Sequence, residues 1–187
     1  MDQTVDEIRF RDLFDRHHRS VMAYFSRRVR DETEVLSATD DVFLVAWRRL
    51  DDVPEGDAAL RWLYGVARKV LANHRRGLAR FAELRHKIEA QPAFPVRGPA
   101  TEAILSVQEE QMLRALETLP EKDREVLLLT YWEQLPHEDV GHILGCSTEA
   151  VHVRRYRAVN RLRAALGRTE QTENPSPLRL QGSRHVD

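Results

Sequence analysis

The chain has 187 residues, 42% of them apolar, with 29 lysines and arginines set against 30 aspartates and glutamates for a net charge of -1, which leaves room for one domain or two small helical ones. Its single cysteine, Cys146, excludes an intrachain disulfide and points to a reducing compartment. No apolar run approaches the ~18 residues of a membrane span, and the N-terminus lacks a signal-peptide pattern, so the expected location is the cytoplasm with no membrane insertion.

The near-neutral balance hides segregation. Asp31, Glu32, Glu34, Asp40, Asp41, Asp51, Asp52, Glu55 and Asp57 form an acidic block, whereas Arg61 to Lys87 is basic apart from Glu83. Such asymmetry suggests a polyanion at one surface and a different partner at another, whereas the plainer reading is a protein balancing its own charge. Phe10, Leu13, Phe14, His17, Val21, Met22, Phe25 and Val29 predict a first amphipathic helix, and Val42, Phe43, Ala46, Trp47 and Leu50 a second. Pro54 and Gly56 then break the periodicity, and Asp57 is placed to cap the next helix.

That third helix is expected over about Ala58 to Gly77, with Trp62, Leu63, Val66, Ala67, Val70 and Leu71 on the core arc. Asn73 falls on that same side and reads as a core hydrogen bonder. Spacings of three, four and seven set Arg61, Tyr64, Arg68 and Arg75 on the opposite stripe, a cationic face with one aromatic suited to phosphate contact and base stacking. A solvated face is the plainer reading of the same pattern.

From Gln91 to Thr101 three prolines and a glycine exclude regular structure and mark a linker, able to span up to ~38 Å when extended. Ile104, Val107, Met112, Leu113, Leu116 and Leu119 predict a helix beyond it, and Pro120 starts another through Trp132. Leu135 to Arg157 reads as two helices joined by a tight turn, in which Gly145 supplies a positive φ, Ser147 caps the second helix, and Gly141 and Val151 allow a close crossing. On the second helix Glu149, His152, Val153, Tyr156, Arg157, Asn160 and Arg163 share one arc, and Val151, Ala158, Leu162 and Ala165 the other. Mixed donors with arginines suit a major groove, although an ordinary solvated helix has a similar wheel. Arg155 lies among apolar neighbours and must snorkel or distort the packing. The tail from Arg168 has no core pattern and is expected to be disordered.

Catalytic patterns fail on spacing. His137 and His142 are five apart, about 140° out of register on a helix, so they do not share a zinc ion. No P-loop, GxSxG or paired-cysteine site occurs, and neither an enzyme nor a cofactor is expected.

Four segments, Phe43 to Leu50, Trp62 to Arg68, Leu119 to Leu127, and Ile143 to Ser147 with Ala150 and Val151, come one after another at separations that resemble the extracytoplasmic-function (ECF) group of bacterial RNA polymerase sigma factors. The resemblance runs from about Phe10 to Leu166. It implies an all-α protein of two small helical domains joined by a flexible linker, the C-terminal one a four-helix unit with a helix-turn-helix. A region 2-like domain would occupy residues 1–90, the linker 91–103, a region 4-like domain 104–168 and a disordered tail 169–187.

The resemblance also implies roles. Asp40, Asp41, Phe43, Leu44, Trp47 and Arg48 would dock on the clamp helices of the largest subunit of core RNA polymerase. Asp57, Arg61, Tyr64, Arg68, Lys69, Arg75 and Arg76 would engage the -10 element of promoter DNA. Ser147, Thr148, Glu149, His152, Val153, Arg154, Tyr156, Arg157 and Asn160 would read the -35 element, the same domain touching the polymerase flap. The linker would thread toward the RNA exit path, and an anti-sigma factor enters as a further partner. Two other readings compete: a stand-alone helix-turn-helix regulator that binds DNA without polymerase, and a sigma-like protein-interaction adaptor.

Overall fold

A computed structural model of the chain describes residues 3–85 and 107–173, which form two helical units packed against each other. In the first, α1 spans Gln3–Ser26, α2 Glu32–Arg48 and α3 Asp57–Arg85, each touching the other two. Asp31 starts α2 by accepting from the Glu34 N–H at 3.0 Å, so an otherwise unpaired helix-start donor is satisfied. Val35, Ala38, Thr39, Val42, Phe43 and Ala46 are buried at helical spacing, and each large apolar side chain so removed from water contributes about 1.5–3 kcal/mol. Thr39 avoids a buried unpaired hydroxyl by donating to the Val35 carbonyl at 2.7 Å.

A 3-10 turn at Leu50–Asp52 and Gly56 at φ 61° carry the chain into α3. Asp57 lies within the first turn of that helix rather than before it as a cap. The helix also runs past Gly77 to Arg85, because a lone glycine costs only ~1 kcal/mol and the Leu, Ala, Arg and Glu residues after it are strong helix formers.

The second unit comprises α4 (Val107–Glu117), α5 (Glu121–Leu127), α6 (His137–Leu144) and α7 (Thr148–Glu173). The stretch expected to continue from Pro120 to Trp132 as one helix instead widens at Leu128–Trp132 into a π turn, in which the Glu133 N–H reaches back to the Leu128 carbonyl at 3.1 Å. Helix α7 persists to Glu173, past the expected start of the disordered tail at Arg168, since no proline intervenes before Pro175. The linker at Gln91 to Thr101, Ile104 and residues 174–187 lie outside the described residues.

Gly145 ends α6 at φ 68° and ψ 44°, and the Cys146 N–H closes on the Gly141 carbonyl at 2.9 Å. A Cβ on Gly141 would lie 2.7 Å from the Cys146 carbonyl oxygen, which explains the small residue there. Ser147 accepts from the Ala150 N–H at 3.2 Å, and Val151 is fully buried beneath the turn.

Candidate nucleic-acid interface

The glycine-pinned turn fixes which side of α7 faces outward. Glu149, His152, Val153, Tyr156, Arg157, Asn160 and Arg163 are all exposed, while Val151, Ala158 and Ala165 are buried. Tyr156, at 68% exposure, and Val153, at 49%, leave apolar surface open to a partner. Hydrogen bonds from its own backbone N–H and from the Ser147 hydroxyl hold the Glu149 carboxyl below the usual carboxylate range. His152 Nε2 is 3.2 Å from Nδ1 of His137 at the start of α6, with the rings edge to face. Burial first, then the charges of His152 and Arg155, push the His137 imidazole below its ordinary value.

Arg155 snorkels as expected: its Nη1 donates to the Tyr131 hydroxyl at 2.9 Å while Nε is buried without a partner. Arg154 is half-buried and lies against the Cys146 sulfur at 4.0 Å. Arg161 is tied to the buried Asp123, and Arg157 lies beside them at the edge of the same shallow cleft.

The α3 stripe divides. Arg68, Lys69 and Arg76 are exposed. Arg61 instead pairs with Asp139 of α6 at 3.2 Å, and Arg75 with Glu121 of α5. Tyr64 is not on the exposed stripe: it is 4% exposed and stacks on Tyr24 with ring centroids 5.4 Å apart. That burial raises its hydroxyl to about 12. Asn73 departs from expectation in the other direction, being exposed and paired with Arg76, because the long helix rotates it off the core arc. Trp62 is half-buried against the core, with the Arg49 guanidinium 6.0 Å from its ring.

On α2 the expected docking set also splits. Phe43 is 3% exposed and packs its ring against Phe14 at 4.8 Å, so it belongs to the core rather than to a contact surface. Asp41 is bound to His74 at 2.8 Å, joining α2 to α3. Leu36, Asp40, Leu44, Trp47 and Arg48 remain exposed and lie at spacings of four, four, three and one along one face. Trp47 rests edge-on against Phe10 at 5.1 Å, beside an apolar groove of about 520 Å³ lined also by Glu7, Arg11 and Phe14.

Residues 13–81 match the family model for sigma-70 region 2, and residues 109–162 that for sigma-70 region 4. The chain belongs to the sigma-70 family, in its ECF group. It is a sigma factor that directs transcription initiation by RNA polymerase. It is 28% identical over 168 residues to the RNA polymerase sigma factor NccH of Alcaligenes xylosoxydans xylosoxydans, covering 86% of this chain and 88% of that one. It is 29% identical over 163 residues to the ECF RNA polymerase sigma factor SigD of Mycobacterium tuberculosis, covering 84% and 77% respectively. The solved sigma factor RpoE of Bartonella quintana, in complex with the anti-sigma factor NepR, shares the fold at a TM-score of 0.63 and 22% identity over 80% of this chain and 92% of that one. These matches favour initiation over the stand-alone regulator and the adaptor.

One group in the sigma factor is not foreshadowed by any sequence motif. Arg28, Glu125 and Glu133 meet between the two units, 97 and 105 residues apart in the chain. The available signal was the acidity of the second unit ahead of α7, where Val107 to Ser147 holds nine carboxylates and three lysines or arginines.

Proposed function

We propose that the sigma factor binds core RNA polymerase through the exposed face of α2 and reads promoter DNA with two helices. Helix α7 lies in the major groove of the -35 element, with Glu149, His152, Arg157 and Asn160 toward base edges and Ser147, Thr148, Val153, Arg154 and Tyr156 flanking them. Arg61, Arg68, Lys69, Arg75 and Arg76 of α3 track the phosphates at the -10 element, near Asp57 at the start of that helix. Leu44, Trp47, Asp40 and Arg48 meet the clamp helices of the largest subunit, and the second unit touches the flap. An anti-sigma factor is a further partner, consistent with the complex in which the RpoE relative was solved. The chain performs no chemistry of its own; polymerase does.

The observation that carries this reading is the exposed arc of α7, set by a turn packed so closely on Gly141 of α6 that no Cβ fits there. Either unit offers few cationic contacts, so DNA binding by each is weak and salt-sensitive until polymerase holds both, when effective concentration replaces separate binding steps. Run-off transcription with reconstituted holoenzyme tests it. Arg157→Ala should lower -35-dependent initiation by roughly tenfold, the loss of one good base contact. Unchanged run-off removes Arg157 from the reading face.

A further inference from the structure

Two histidines from different helices face each other beside the helix-turn-helix turn. His137 is the first residue of α6 and His152, fifteen residues on, lies one turn into α7; Nδ1 of the first is 3.2 Å from Nε2 of the second. The ring centroids are 4.2 Å apart at 79°, so a nitrogen of each ring, not the ring faces, makes the contact. His152 is exposed and His137 half-buried, which leaves the pair open to solvent.

The backbone beneath holds the two in place. Pro136, at φ -55°, fixes where α6 begins, Gly145 turns the chain at φ 68°, and the buried Val140, Ile143 and Val151 pack α6 on α7. As a hydrogen bond the pair adds little, because water serves either exposed ring as well. As a chelate its spacing is apt. Two imidazole nitrogens, each ~2.0–2.1 Å from a tetrahedral zinc ion, stand about 3.3–3.4 Å apart. The separation of 3.2 Å falls inside the ~0.2 Å tolerance of a formed site, and χ2 of histidine is soft enough to aim both lone pairs at one point.

From this geometry we infer that His137 and His152 form a binding site for a divalent late transition-metal cation of the zinc type, which ties α6 to α7 and takes His152 away from base edges. Its effect on DNA rests on the reading of α7 as the -35 helix. The pairing differs from that of His137 with His142, which helical register excludes, because His152 comes from another helix.

Ligand chemistry selects the cation. Imidazole suits Zn²⁺, Ni²⁺ and Cu²⁺, whereas Mg²⁺ and Ca²⁺ go to oxygen ligands. Among the described residues no three histidine, cysteine or acidic side chains gather as a metal cluster, so water completes the shell and binding is that of a responsive site, not a structural one. The surrounding charge is mixed. Glu149 is close enough to feel the charge of His152 and favours a cation, while Arg155 acts on His137 and opposes it. Once bound, the ion holds His152 Nε2, leaving Arg157 and Asn160 farther along the arc free to read.

Isothermal titration of the full chain with Zn²⁺, and with Mg²⁺ as the hard-cation control, compares the wild type with His137→Ala and His152→Ala. The chain has eight histidines, so the readout is the difference in stoichiometry. Each variant should bind one Zn²⁺ fewer. At a tenfold excess over Kd, Zn²⁺ should raise the wild-type Tm by about 3–6 °C more than that of either variant, and Mg²⁺ should do neither. Equal zinc stoichiometry in the wild type and both variants, each folded by circular dichroism, overturns the site. Run-off on a cognate promoter and on promoters with single -35 substitutions, with and without Zn²⁺, reads the consequence. The wild type should lose several-fold of its preference at one position, and His137→Ala, which keeps His152 but not the chelate, should retain it; any response of polymerase itself is common to both. Zinc binding with undiminished preference overturns the effect on reading and removes His152 from the base edges, while the metal site stands.

Discussion

Gly141→Ala isolates the turn that aims the recognition helix. The added Cβ would lie 2.7 Å from the Cys146 carbonyl oxygen, a backbone atom with no rotamer through which to escape. Forcing a methyl group into such a contact costs about 1–3 kcal/mol, against which alanine returns at most ~1 kcal/mol of helix propensity. With the full propensity gain returned, the net loss is up to about 2 kcal/mol, or as much as roughly 8 °C in melting temperature for a chain of this size. Gly65→Ala is the internal control: nothing lies within 4 Å of its Cβ position inside α3, so only the propensity gain remains and the variant should melt at or slightly above the wild type. Thermal unfolding monitored by circular dichroism gives both shifts. If Gly141→Ala melts as high as Gly65→Ala, the close approach of α6 to the turn is not what holds α7 in place.

Replacing Arg68 and Arg75 together by alanine should reduce promoter opening several-fold, read as permanganate reactivity of the bubble, and a normal bubble would make the α3 stripe an ordinary solvated face. Leu44→Asp puts a charge at an exposed position on the α2 face, 45% open, so it should leave the stability within about 0.5 kcal/mol of the wild type yet weaken retention on immobilised core polymerase; equal retention would exclude that face as the dock. His137 should titrate below the ordinary histidine value by NMR and move back toward it in His152→Ala, in which Arg155 and partial burial still act; an unmoved value would sever the pair. Because its folded-state value is depressed, the stability His137 contributes is present above about pH 6.5 and is lost as the pH falls from there through the folded value.

Local signals carried most of the fold. Asp31, Gly145, Ser147 and Val151 each act where their chemistry suggests, because caps and turns depend on neighbours only a few residues away. The misjudged residues share a different cause. Tyr64 lies between Arg61 and Arg68 on a helical wheel, yet Tyr24, forty residues earlier by sequence count, provides the ring that buries it. Phe43 reads equally well as core or contact until Phe14 is placed beside it. Helices α3 and α7 outrun their predicted ends because no proline stops them where the apolar pattern does. The π turn at Leu128–Trp132 has no composition of its own, and it sets where Glu133 emerges, so the Arg28 cluster depended on two features the sequence does not announce.

The near-neutral total charge takes on a physical meaning once the units are seen together. A cationic α3 and an acidic run ahead of α7 would each draw an unrelated partner if left open; closed on each other, they cancel across the interface. Salt does not act evenly across that interface. The rim pairs, Arg61 with Asp139 and Arg75 with Glu121, sit in solvent and are screened over a Debye length of about 8 Å at physiological ionic strength, whereas Arg28 with Glu133 has no exposed side-chain surface and is screened far less. Raising salt thus weakens the rim while leaving the buried pair in place. A competing surface that binds one unit and draws it away from the other acts on the buried pair directly, because it supplies free energy to the open state alone.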